Sequence, residues 1–393
     1  MESTLTCESP AIIVDIMASQ SGDTVKFDPI DRTKLQQQVD QWNLLHPVSA
    51  EVSVQGYSEN KRTRTSATIL FEKKAVIYLE GHNGYFDLDA VTPFSPAAPA
   101  RPAPPVQSNL CFMFPGQGSQ KKGMGEALFE AFPDHVRAAD QVLGYSIKDL
   151  CLLDQDNRLG LTQYTQPALY TVNALSWLAA VELDETPRPA FLIGHSLGEY
   201  NALFAAGAFD FETGLRLVQK RGALMAEASG GGMAAIIGLS GDQVRKILED
   251  CHLDRIDLAN LNSDTQTVIA GPKDEIDRAR ADFEASGARM YLPLATSGAF
   301  HSRYMKDFQA PFALFLAAFE FHPLATPVIS NVEALPYEQP RIPSLLVDQL
   351  ISQVRWSDSI RYLADRGIDT FREIGPGNVL TGMMSKRRQR VSA

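Results

Sequence analysis

A serine with a glycine two positions away on either side, Gly194-x-Ser196-x-Gly198, stands where the apolar run FLIG gives way to a polar turn. A G-x-S-x-G pattern between a strand and a helix can set a serine on a strained turn with its hydroxyl exposed, as acyl-transferring nucleophiles are. Glycines suit that turn because a β-carbon at either position would collide with the crossing backbone. A serine hydroxyl attacks poorly at neutral pH without a base within hydrogen-bonding reach and donors for the oxyanion. The chain offers seven histidines. His46 and His322 precede prolines, His82 and His135 sit in polar turns, and His252 follows Cys251 at a helix end, all settings of surface or capping residues. His195 adjoins Ser196, but neighbours around a tight turn point in different directions. His301, in TSGAFHSRYM, is the stronger candidate for the base, with His195 left open. Arg221 in QKRGALM reads on residue type alone as a solvated helix residue, and Gln166 in YTQPALY as a polar residue near a helix start.

These groups need elements to position them. LCFMF, from Leu110 to Phe114, reads as a buried strand running into the glycine-rich loop PGQGSQKKGMG. EALFEAFPDHVRAADQVL and QPALYTVNALSWLAAVELD follow with helical spacing, and AFLIG is a second short strand that ends at the serine turn. Strand, loop, helices, strand, turn and helix is an α/β order, whose parallel strands carry ligand-binding loops at their carboxyl edge. PGQGSQ and GHSLGE therefore belong on one rim. From Gly231 the order becomes β-α-β-β-α-β, through MAAIIGLS, GDQVRKILEDC, IDLANLNS, TQTVIAG, PKDEIDRARADFEASG and ARMYLPL. That is the ferredoxin-like order, inserted into the α/β body. FREIGPGNVL near the end reads as a further strand of the main sheet.

Upstream, TPFSPAAPARPAPPV is rich in proline and alanine and reads as a spacer. Before it come one helix, DRTKLQQQVDQWNLLHP, and the strand-formers AEVSVQGY, SATILFE and AVIYLEG, the last two as a hairpin across Lys73 and Lys74. The expected architecture is an α/β-hydrolase-like main subdomain with a parallel sheet, an inserted ferredoxin-like small subdomain and a separate small α+β N-terminal module. The boundaries are a module over 1–91, a linker over 92–108 and an α/β domain over 109–393, with main body 109–230 and 297–393 and insertion 231–296.

Of the 393 residues, 45% are hydrophobic and 21% charged, enough for a large core. A formal net charge of −11 counts against nonspecific association with nucleic acid or anionic membranes. The basic run Lys386, Arg387, Arg388 and Arg390 reads as a solvated end. Cys7, Cys111, Cys151 and Cys251 lack metal-ligand spacing, so no metal site is expected. The N-terminus lacks a basic flank before an apolar core and no apolar run reaches membrane-spanning length, which places the protein in the cytoplasm. The sequence shows no long amphipathic seam, and a monomer is expected.

GQGSQ at Gly116–Gln120, GHSLGE at Gly194–Glu199, QKRGALM at Gln219–Met225, GAFHS at Gly298–Ser302 and EIGPGNVL at Glu373–Leu380 occur in the order and approximate spacing of one family. From Leu110 to about Arg390 the chain resembles the malonyl-CoA:acyl-carrier-protein transacylases, most of all the free-standing ones that serve polyketide synthases in trans. The resemblance implies malonyl transfer from malonyl-CoA to the phosphopantetheine thiol of an acyl carrier protein, with no bound cofactor. It implies Ser196 as nucleophile, His301 as base, the backbone N–H groups of Gln117 and Leu197 as oxyanion hole, and Arg221 as partner of the malonyl carboxylate. The Gln349 carbonyl would orient the histidine, although relatives commonly have proline where this chain has Gln353. Gln166, Phe300 and His195 are expected around the acyl pocket, and Phe300 fills the space an α-methyl would need, favouring malonyl over methylmalonyl. The alternative is an acyl hydrolase of the same fold that clears carrier proteins, for which Arg221 would have no use. A third reading makes the chain chiefly a scaffold, with the first module recruiting a synthase. Intact Ser196, His301 and Arg221 argue against it.

Overall fold

The computed structural model describes residues 32–46, 48–54, 61–70, 74–80, 85–93, 108–182 and 188–384. Cys7, His82, the basic run after Lys386 and most of the proline-rich spacer lie outside them. The chain divides into two compact units, Met1–Phe94 and Ser95–Ala393.

In the first unit the helix Arg32–Leu45 is followed by two three-stranded antiparallel sheets. One orders Lys61–Arg62, Glu51–Val54 and Val91–Pro93; the other orders Thr68–Leu70, Lys74–Tyr78 and Tyr85–Asp87. The hairpin expected around Lys73 is present, with Thr68 opposite Val76 and Leu70 opposite Lys74. Val39, Trp42, Val52, Val54, Ile77 and Leu79 form the unit's own core. The spacer begins later than its composition suggests, because Thr92 and Pro93 pair with Ser53 and Val52. A proline at a strand end withholds no needed donor, so it can close the sheet there.

The second unit is built on four parallel strands in the order Val328–Ile329, Phe191–Gly194, Leu110–Phe114 and Thr370–Glu373. LCFMF is apolar throughout because both sheet faces are covered. Leu110, Phe112 and Phe114 enter the main core, while Cys111 and Met113 pack with Ile193, Trp356, Ile360 and Leu363. The helical stretch after Gly125 is two helices, Glu126–Ala131 and Pro133–Leu143, since Pro133 cannot continue the first and starts the second. His135 thus lies on a helix, between the rings of Phe132 and Phe211, rather than in a turn. The helix Thr162–Glu182 begins before Gln166 and contains Pro167 within its early turns.

Residues 231–293 form a four-stranded antiparallel sheet. Its order is Asp257–Ser263, Gln266–Pro272, Gly231–Ile237 and Met290–Pro293, with helices Gly241–Asp250 and Lys273–Ala285 between strands. One face packs Ala234, Ile236 and Ile269 against Val244, Ile276 and Phe283 of the helices, while Met233, Ala235 and Val268 join the main core. The strand Asp257–Ser263 is also stitched to the main body, with Leu261 N donating to Val354 O at 2.9 Å and Val354 N to Ala259 O at 2.8 Å. Among the described residues no helix is long and apolar enough to cross a membrane.

Candidate active site

The strand Phe191–Gly194 ends at Ser196, whose φ of +51° is the left-handed region that L-residues other than Asn and Asp seldom enter. The helix Gly198–Ala205 starts at once, and its first six residues are all buried. A β-carbon on Gly194 would lie 1.9 Å from the Gly198 carbonyl carbon, and one on Gly198 2.0 Å from Phe114 O. The pattern is therefore a steric requirement of strand, turn and helix crossing at contact distance. The neighbouring loop closes on the same turn: His195 N donates to Phe114 O at 3.0 Å. Both glycine motifs share the carboxyl rim of adjacent strands.

Ser196 Oγ lies 2.7 Å from His301 Nε2, and His301 Nδ1 lies 2.9 Å from the carbonyl oxygen of Gln349. With Nδ1 protonated and donating to that carbonyl, Nε2 is an acceptor for the serine proton. His301 is buried, which holds its pKa far down, to about 3; the positive charge of Arg221 adds to the fall and the Gln349 carbonyl opposes it. The imidazole is neutral at physiological pH, the state a base requires. The carbonyl contact is made with Gln353 at the position where proline was expected. Among the described residues the N–H groups of Gln117 and Leu197 donate to no acceptor, and Leu197 is buried. They are free for an oxyanion.

Arg221 sits on the helix Phe211–Glu227, which Asp210 caps by accepting from Thr213 N at 2.7 Å. It occupies the buried face with Leu217, Val218 and Met225 and is only 1% exposed. Nη1 donates to Gln166 Oε1 at 2.7 Å; Nη2 donates to Gln349 Oε1 at 2.8 Å and to Ser196 Oγ at 3.2 Å. Its buried Nε has no hydrogen-bond partner. Burial lowers its pKa, with Tyr200 and Glu199 opposing.

The other expected residues divide. Gln166 is in the cluster through Arg221. Phe300 is buried with a ring edge against Gly298. The His195 ring turns away to Asn262 Oδ1 at 2.9 Å and stacks obliquely on Trp356, and burial lowers its pKa. His46 packs on Trp42 and His322 lies 3.9 Å from Glu320.

Three contributions escaped the sequence reading: Glu199, Asn331 and the Gln349 side chain. Asn331 Oδ1 accepts from Ser196 N at 2.7 Å and its Nδ2 donates to Gly194 O at 2.7 Å, bracing the strained turn. Glu199 Oε1 accepts from Asn331 N at 2.7 Å and Tyr337 OH at 2.8 Å, while Oε2 accepts from Gln349 Nε2. Burial raises the Glu199 pKa to about 7 against those donors and Arg221. The one available signal was a carboxylate on a helix whose other residues, Asn201 apart, are largely apolar, LGEYNALFAA, which must bury most of its circumference.

A strained serine at the rim of a parallel α/β sheet, with a histidine nitrogen on its hydroxyl and unengaged amides beside it, is an arrangement suited to serine-dependent acyl transfer. A family model for the acyl transferase domain matches residues 111–391, and the chain belongs to that family. Polyketide biosynthesis protein ThaF of Burkholderia thailandensis is 56% identical over 275 residues, 70% of this chain and 24% of that longer protein. The polyketide biosynthesis malonyl CoA-acyl carrier protein transacylase BaeC of Bacillus velezensis is 53% identical over 285 residues, 72% of this chain and 98% of that protein. The crystal structure of a malonyl CoA-acyl carrier protein transacylase from Burkholderia pseudomallei aligns with a TM-score of 0.68 at 52% identity, covering 71% of this chain and 98% of that one.

Proposed function

We propose that the protein moves a malonyl group from malonyl-CoA to the phosphopantetheine thiol of an acyl carrier protein that supplies polyketide or fatty acid assembly. The observation that carries this reading is the buried guanidinium of Arg221, 3.2 Å from the serine hydroxyl. An isolated buried cation costs several kcal/mol, on the order of what an ion pair or its ligand must offset. A free acyl carboxylate supplies the partner, and a planar fork grips it with two parallel bonds.

Ser196 Oγ attacks the thioester carbonyl while its proton passes to His301 Nε2. The N–H groups of Gln117 and Leu197 receive the oxyanion, and Gln349 O steadies the imidazolium through Nδ1. Collapse breaks the C–S bond, and the departing CoA sulfur takes the proton from His301. The carrier's thiol then gives its proton to His301, attacks the acyl-serine ester, and Ser196 regains its proton as the C–O bond breaks. Phe300 narrows the space at the α-carbon, a preference of about 1–3 kcal/mol against one extra methyl. Residues 231–296 act as an inserted ferredoxin-like subdomain, a reading supported by their strand order, and the first unit, with its own core, is a separate module available for recruiting a synthase. Hydrolytic release is the weaker reading, since BaeC and the Burkholderia pseudomallei protein are named transacylases and Arg221 serves no uncharged acyl chain.

Intact-protein mass spectrometry after brief exposure to malonyl-, acetyl- or methylmalonyl-CoA, followed by addition of a holo acyl carrier protein, tests the reading. Malonyl should load, persist and move to the carrier, with methylmalonyl weaker. Equal acetyl loading, with the ester lost to water and none on the carrier, would sink it.

A further inference from the structure

The acyl-transfer steps use no carboxylate, yet one lies fully buried at the centre of the site. Glu199 is 0% exposed and spends both oxygens on fixed partners: Oε1 on Asn331 N and Tyr337 OH, Oε2 on the side-chain NH2 of Gln349. That NH2 also donates to Ser196 O at 2.9 Å. An amide has a donor end and an acceptor end, so pinning the NH2 on a carboxylate leaves only the oxygen to face the opposite side. There it accepts from Arg221 Nη2 at 2.8 Å. Glu199 is also the carboxylate whose charge acts on Arg221, with no direct ion pair between the two. A negative charge held one residue away offsets the buried guanidinium without occupying the donors a substrate carboxylate needs.

We infer that Glu199 is a positioning residue for acyl groups bearing a free carboxylate: it fixes the polarity of the Gln349 amide and thereby holds Arg221 beside Ser196, ready for the substrate carboxylate. The inference rests on the malonyl reading above and deepens it. Glutamine in place of Glu199 keeps acceptors for Asn331 N and Tyr337 OH but turns an NH2 toward the NH2 of Gln349. Relief of that donor–donor clash flips the Gln349 amide, which then presents donors to Arg221 and displaces the guanidinium. The Gln349 backbone carbonyl, and with it the Ser196–His301 pair, stays in place. The defect should thus fall on carboxylate recognition and spare the chemistry of acylation.

The experiment compares initial rates of Ser196 acylation by malonyl-CoA and acetyl-CoA over a concentration series in wild type and Glu199→Gln. We expect a malonyl KM about tenfold higher with kcat within about threefold, and acetyl loading within about threefold, so the malonyl-to-acetyl ratio of kcat/KM falls about tenfold. A ratio within twofold of wild type, or parallel loss of both acyl groups, overturns the inference, because a residue that merely supports the turn would damage both alike. If Glu199→Gln does not fold, Tyr337→Phe, which removes one bond to the carboxylate and keeps the ring, is read on the same ratio. A fall of about threefold supports the inference and an unchanged ratio overturns it. Wild type that loads no malonyl at all refutes the functional reading itself, and that is seen before any variant is compared.

Discussion

The carboxyl rim of the parallel sheet and the antiparallel sheet of residues 231–293 handle charge differently. Around Ser196 the protein buries Glu199, Arg221, Asn331 and Gln349 together and satisfies nearly every group with a named partner. In the insertion the core is Ala234, Ile236, Val244, Ile269, Ile276 and Phe283, and ion pairs such as Lys246 with Asp250 stand in solvent. Buried charge is costly unless paired or bonded: the rim buries both signs together, whereas the buried Glu275 of the second sheet meets the exposed Arg255 at 2.6 Å. The insertion's stability should follow apolar volume, whereas the rim's activity should follow polarity and geometry.

The sharpest break of that comparison is Ser196→Ala. Loading should fall by roughly four orders of magnitude or more, as for other serine nucleophiles, with the circular dichroism spectrum and melting temperature nearly unchanged. Next is Gly194→Ala, whose β-carbon would sit 1.9 Å from Gly198 C; we expect at least about 4 kcal/mol lost in denaturant titration, or no folded protein. Arg221→Lys keeps the charge but loses the fork, and malonyl kcat/KM should drop roughly 10- to 100-fold with acetyl loading nearly constant.

The pH profile follows from His301. Its folded pKa lies below the ordinary 6.5, at about 3, through burial first and Arg221 second. For acetyl loading, which does not call on Glu199 and Arg221 to grip a carboxylate, the acid limb of kcat/KM should therefore fall below pH 6.5, and removing the positive charge in Arg221→Gln should move it upward. Because the unfolded chain takes up this proton first, the contribution to stability is complete above about pH 6.5 and is lost as pH falls toward 3. An acid limb at or above pH 6.5 for acetyl loading by the wild type would contradict the burial. The smallest effect belongs to the insertion: Ile236→Val, fully buried, should cost about 1 kcal/mol of stability and leave kcat/KM unaltered.

What could be read from the sequence follows the range of the forces involved. The serine turn was legible because Gly194 answers to a clash with Gly198 inside the same five residues, although Gly198 itself answers to the distant Phe114 O. The strands and helices of residues 231–293 were legible because each declares its own period. Val328–Ile329 was not read as a strand, since two residues show no period and its place depends on pairing with Leu192 and Ile193. Glu199 looked like an ordinary acid in a helix's first turn. Its burial is decided by Asn331, Tyr337 and Gln349, more than 130 residues away. Gln349 was assigned through its backbone, which any residue would supply, while the amide that distinguishes glutamine went unread.

Ser196 and His301 share one more property: both have positive φ, +51° and +57°. A β-branched side chain is a severe outlier in that region. Threonine, which carries the same hydroxyl, is thus barred from the nucleophile's position by the backbone before chemistry is considered. Among natural residues cysteine alone could replace the serine and still offer a heteroatom on an unbranched β-carbon to His301. The turn that makes the hydroxyl accessible therefore also restricts the routes by which this site could evolve toward another nucleophile.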